Sequence, residues 1–120
     1  MVREVDLSAE GEVDLADILQ LLHESLRASR DEDARAFERA ADRVRDVRES
    51  IAALGMAPHQ GTLWPDLGAR VRSVTKGRAI LYFEALDEAE RVHVLAAFYG
   101  GQDHLAVMTA RLREAAGRGR

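Results

Sequence analysis

Apolar and polar positions follow two rhythms along this chain. Over residues 3–7, Arg3, Val5 and Leu7 fall on one side and Glu4 and Asp6 on the other. That period of two predicts a short strand at an edge or with a single neighbour. Ser8 then offers an oxygen to cap a helix, and Glu10 sits where negative charge suits the helix dipole. The rhythm lengthens next: Leu15, Ile18, Leu19, Leu22 and Leu26 recur at spacings of three and four, which predicts a helix over 12–26. Ser29 to Glu32 has the S-x-x-E form of a capping box and opens a second helix. Its stripe is Phe37, Ala40, Ala41, Val44, Val47, Ile51 and Leu54, and Gly55 stands where it stops. A short joint between the two predicts an antiparallel hairpin. Arg39, Asp42, Arg43, Arg45, Asp46 and Arg48 read as its solvated face and suggest no function.

Between Pro58 and Pro65 no rhythm holds, yet Leu63, Trp64 and Leu67 call for burial, so the segment reads as an ordered loop with Trp64 as a packing anchor. Period two then returns three times. Residues 70–75 form a strand of imperfect alternation, since Val71 and Val74 differ in parity; a bulge or an edge position accounts for that. Lys76-Gly77 supplies a hairpin turn. Residues 78–84 put Ala79, Leu81 and Phe83 on one face and Ile80 and Tyr82 on the other, and a polar link over 85–90 turns the chain again. Residues 91–99 are apolar on both sides, with Val92, Val94, Ala96 and Phe98 set against Leu95 and Ala97. A strand of that kind is central and covered twice. The helical hairpin covers one face, and the other needs the C-terminal helix or a partner protein. Gly100-Gly101 ends the strand, Asp103 can cap, and Leu105, Met108 and Leu112 line a last helix over 105–116. The order is β-α-α-β-β-β-α: an α+β domain over residues 1–116, a small antiparallel sheet packed against a helical hairpin, with 117–120 as a disordered tail.

Composition sharpens this picture in a few places. At 120 residues the chain makes one domain with its own core. Cysteine is absent, which removes disulfides, thiolate metal sites and cysteine nucleophiles and fits a reducing compartment. Neither a signal peptide nor a membrane-spanning run is expected, so the protein reads as cytoplasmic. Seventeen Lys and Arg against 21 Asp and Glu give a net charge of -4, which argues against nucleic acid as the main ligand.

The usual enzyme signatures, P-loop and G-x-S-x-G among them, do not occur. His23, His59, His93 and His104 lack ligand spacing, so no metal and no cofactor is expected. His93, between two valines in a strand, reads as a satisfied, half-buried imidazole. Two groups of residues stay candidates. Arg70, Arg72, Lys76 and Arg78 lie on the predicted hairpin, where they can grip phosphates or simply be solvated and paired with nearby acids. Tyr99 and His104 flank the turn that also holds Asp103, and they offer proton-transfer groups; alternatively, Asp103 caps the last helix and His104 rides on it.

Three passages carry a family resemblance. VDLSAEGEVDLADIL is similar to the start of RelE/ParE toxins of bacterial type II toxin–antitoxin modules. GTLWPDLGARVRSVTKGRAILYFEAL resembles their Arg-bearing strand followed by an apolar, Tyr-containing one. VHVLAAFYGGQDH resembles their final strand and its turn. The order of elements is the family's, and the ParE-like branch fits best. The resemblance implies a growth-inhibiting toxin of the plasmid-stabilisation kind, neutralised by a cognate antitoxin laid over apolar grooves. ParE-like members inhibit DNA gyrase without being nucleases, whereas RelE-like members cut mRNA on the ribosome. By position, the resemblance places Arg72 and Arg78 on the basic strand positions and Tyr82 in the apolar strand, so Arg70, Arg72, Lys76, Arg78 and Tyr82 become target-binding candidates. Tyr99 lies where many relatives carry His. The acidic balance, and the lack of any aromatic or His after His104, depart from the RNA-cutting pattern and favour gyrase as target. A homodimer stays open.

Overall fold

The computed structural model describes residues 2–28, 32–100 and 103–118. Strand β1 (Glu4–Leu7) leads into helix α1 (Ala9–Ala28), and helix α2 (Asp33–Ala53) returns antiparallel and ends in a 3-10 turn, Leu54–Met56. Four strands follow, β2 (Thr62–Leu63), β3 (Val71–Lys76), β4 (Ala79–Leu86) and β5 (Arg91–Tyr99), and helix α3 (His104–Arg118) closes the chain. The α+β order expected from the pattern is present, with the two-residue β2 added at the edge. The sheet order is β1-β5-β4-β3-β2. Strands β2 to β5 pair antiparallel, but β1 joins β5 in parallel, so the sheet is mixed. A parallel partner is possible because the whole helical hairpin intervenes as the crossover.

Local signals explain most boundaries. Ser8 caps α1, its Oγ accepting from the Gly11 N–H at 3.0 Å. The same hydroxyl donates to the Leu95 carbonyl, and the Ser8 N–H donates to the Val94 carbonyl. At α2 the capping residue is Glu32, without a side-chain hydrogen bond; the expected box residues Ser29 to Asp31 lie outside the described residues. Gly55 is set by packing. A Cβ there would lie 2.2 Å from the Arg3 carbonyl oxygen, and its own carbonyl accepts from the Arg3 N–H at 2.9 Å. So Gly55 lets β1 press against the end of the hairpin. Asp103 caps α3 through the Ala106 N–H at 3.4 Å. That helix includes Gly117 and Arg118, and 119–120 lie outside the described residues. Among the described residues, no helix is long and apolar enough to cross a membrane.

Two cores sandwich the sheet. The larger joins the α1 stripe (Leu15, Ile18, Leu22, Leu26) and the α2 stripe (Ala36, Ala40, Val44, Val47, Ile51) to Leu81, Phe83, Val92, Val94 and Ala97. Phe37, expected in the stripe, is 49% exposed and meets His23 edge-on instead; the α2 stripe is centred one position earlier, on Ala36. The smaller core, on the other face, joins Val71, Tyr82, Ala96 and Phe98 to Met108 of α3, flanked by Trp64 and Leu67. Val71 and Val74 differ in parity because each feeds a different core, with no bulge in β3. The bulge lies in β5, where Tyr82 pairs with Ala96 but Phe83 with Val94, leaving Leu95 as the extra residue. It flips the parity beyond it. Val92 and Val94 therefore face the hairpin, while Ala96 and Phe98 face α3, against the single face expected from strict alternation. Trp64 does anchor its loop, its Nε1 donating to Ser73 Oγ at 2.7 Å, but Leu63 is 45% exposed on the edge strand. The second face is thus closed largely by α3 itself rather than left bare for a partner.

Candidate functional site

The end of the sheet where β3 turns into β4 and β5 runs out gathers the chemistry-bearing residues. Gly77 takes a φ of 61° in the tight turn, and the Gly100 N–H donates to the Arg78 carbonyl at 3.0 Å, pinning turn and strand end together. The Arg78 guanidinium lies over the Tyr99 ring, 5.4 Å from its centroid. Lys76, Arg78 and Tyr99 line a cavity of about 580 Å³ whose other wall is α2, with Arg43, Asp46 and Ser50.

The basic quartet does not form one patch. Arg72 donates through Nη1 to the His59 carbonyl at 2.8 Å, and exposed Arg70 lies 3.8 Å from Glu88. Only Lys76 and Arg78 share a cavity, and Arg43 joins them from a face read as merely solvated.

Tyr82 is fully buried in the chain. It lies between β3 and β5 with Phe98 edge-on at 5.9 Å, and its hydroxyl meets Nδ1 of His104 at 2.6 Å. Burial raises its phenol above the ordinary value. The resemblance placed Tyr82 among target-binding residues; its place in the smaller core assigns it to the footing of α3. His104 and Tyr99, the two proton-transfer candidates, sit on opposite faces of the sheet: Tyr99 packs with the hairpin core and His104 against Tyr82 and Phe98.

Two further polar clusters lie apart from these residues, and the sequence pattern names the partners of neither. Asp14, 4% exposed, accepts from Nη1 and Nη2 of Arg111 at 2.8 and 2.6 Å and from the Ala97 N–H at 3.0 Å. Its signal was an acid beside Leu15 on the buried side of α1. The paired carboxylate raises the Arg111 guanidinium further. On the sheet, His93 Nδ1 meets Asp6 Oδ1 and Arg91 Nη2 donates to Asp6 Oδ2 at 2.9 Å, which satisfies the imidazole as expected. The hydrogen bond with His93, ahead of that from Arg91, holds the Asp6 carboxyl below the usual range against an opposing burial effect. Among the described residues, no three His, Asp or Glu side chains converge as a metal ion would require.

A second concavity, about 450 Å³, runs between α3 and the loop before β3, lined by Trp64, Leu67, Leu105 and Leu112 with Asp66 and Arg113 at its polar points. Leu105, 37% exposed, leaves apolar surface on its wall.

No family model matches the chain, and no curated protein is similar to it in sequence to a significant degree. Among solved structures it is similar to a chain of "Chromosomal ParDE TA system from P. aeruginosa", with a TM-score of 0.64 at 17% identity over 83% of this chain and 98% of that one. At that identity the likeness establishes architecture, and the architecture is the ParE-type fold implied by the three sequence passages.

Proposed function

We propose that this protein is the toxin of a type II toxin–antitoxin module and that it acts by contact with DNA gyrase rather than by cutting RNA. The fold shared with a ParDE structure supports the first half. The second half is carried by one observation, the placement of Tyr99 and His104 on opposite faces of the sheet. Strand cleavage needs base and acid within hydrogen-bond reach of one phosphodiester, and a sheet between them keeps these two apart. A net charge of -4 also opposes strong attraction to RNA. The working surface is the sheet end that presents Lys76 and Arg78, with the start of α3 beside it. The cognate antitoxin would lay a helical or extended segment in the apolar concavity beside Leu105 and Leu112. Action on gyrase or ribosomes places the protein in the cytoplasm.

Purified protein should inhibit gyrase supercoiling at micromolar concentration and leave a translated message intact. Unchanged supercoiling at a large molar excess of protein would remove the gyrase reading. The alternative, a ribosome-dependent mRNA endonuclease, is favoured by a single observation: Lys76, Arg78 and Tyr99 share one cavity. Cleavage of a message on translating ribosomes, abolished by Tyr99→Phe, would establish it.

A further inference from the structure

We propose that the cavity between α2 and the β3–β4 turn is a binding site for a phosphate group, held by Arg43, Lys76 and Arg78. Three cationic side chains, Arg43 from α2 and Lys76 and Arg78 from the β3–β4 turn, line about 580 Å³, against one carboxylate, the exposed Asp46. In a chain of net charge -4, such a local surplus stands out. Among the described residues, Arg43, Lys76 and Arg78 form no ion pair, although other arginines do: Arg45 with Asp42 and Arg48 with Glu12. Arg43 and Lys76 are half-buried, which makes each uncompensated charge costlier than on open surface and favours an anionic ligand between them.

The site is also partly organised in advance. The Tyr99 ring supports the Arg78 guanidinium, and the Gly100 N–H fixes the Arg78 main chain. Gly77 leaves the mouth of the turn open, with nothing within 4 Å of where a Cβ would stand. Ser50, half-buried on the α2 wall, adds a hydroxyl donor. A carboxylate is satisfied by one arginine fork. Three cations on two facing walls of one cavity suit a tetrahedral group with several charged oxygens. Nothing in this inference depends on the gyrase reading, and it is tested on the protein alone.

The whole chain is titrated with sodium pyrophosphate and with inorganic phosphate, against sodium chloride at matched ionic strength, by calorimetry and thermal melting. Saturable binding is expected, with pyrophosphate the tighter. Arg43→Gln and Arg78→Gln should each weaken it at least tenfold, while Arg45→Gln, outside the cavity, leaves it unchanged. Lys76→Gln provides a third variant should either arginine change disturb folding, which melting without ligand reveals. A response no greater than that to chloride, or one that survives in the folded cavity variants, overturns the proposal. A short oligonucleotide then identifies the source of the phosphate. Binding tighter than pyrophosphate and sensitive to Arg78→Gln assigns it to a nucleic-acid backbone; weaker binding assigns it to a small phosphorylated ligand.

Discussion

Single residues here show how position converts ordinary chemistry into structure. Tyr82 has the aromatic body of a core residue and a hydroxyl that must find a partner once buried; His104 Nδ1 supplies it at 2.6 Å. Tyr82→Phe keeps the ring and strands that nitrogen, so denaturant unfolding should show a loss of about 1 kcal/mol. Tyr82→Ala should cost about 3–5 kcal/mol, because a large cavity opens between sheet and α3. Asp6 behaves differently, since it is linked to pH. Its folded carboxyl titrates below its unfolded value, so the unfolded chain takes up the proton first as acid is added. Its contribution is complete above about pH 5, begins to fall near the unfolded value of about 4 and is lost as pH passes through the lower folded value. Asp6→Asn should flatten the acid limb of stability, read as the denaturant midpoint from about pH 5 down to 2. An unchanged limb would mean that the His93 and Arg91 contacts add nothing in solution.

At the scale of elements, α3 depends on a few side chains. Met108 enters the smaller core, Arg111 reaches Asp14 and packs 5.3 Å from the Phe98 ring centroid, and His104 meets Tyr82. Removing one partner of a buried pair leaves the other charged and desolvated. Arg111→Ala should therefore destabilise the protein by about 3 kcal/mol and speed amide exchange along α3, measured by hydrogen–deuterium exchange. Arg113→Ala, on the exposed side of the same helix, should change neither. The apolar line Leu105, Met108 and Leu112 makes α3 legible from its residues alone, but not its anchor. A charge pair between residues 14 and 111 shows locally only as an acid beside Leu15 on the buried side of α1, which does not name its partner. The bulge at Leu95 was equally silent, because an extra residue in an apolar strand leaves the composition of the run unchanged.

Across the whole molecule, the sheet divides the candidate residues by face and by end. Lys76, Arg78 and Tyr99 meet α2 on the hairpin side, His104 and Tyr82 meet α3 on the other, and Arg72 is occupied at the β2 edge by the His59 carbonyl. If the gyrase reading holds, Arg78→Glu should reduce inhibition of supercoiling more than tenfold while moving stability by about 1 kcal/mol or less, the scale of the contact it makes with Tyr99. Arg70→Glu, at the far end of β3, should leave inhibition intact. Equal effects of the two would mean that net charge, rather than this end of the sheet, governs the contact.

The periods of two and of three to four settled the main elements and their order, since these follow from backbone geometry and from which positions can be hidden from water together. The tight turn itself falls one residue later than the pattern suggested, at Gly77-Arg78, with Lys76 paired to Ala79. Tertiary structure alone decided which face each residue beyond Leu95 would serve, how far α3 would close the second face, and that Arg43 would line the same cavity as Arg78. Those outcomes depend on how rigid elements pack side by side. Such packing is set by the summed shape of many side chains, and no local window of sequence contains it.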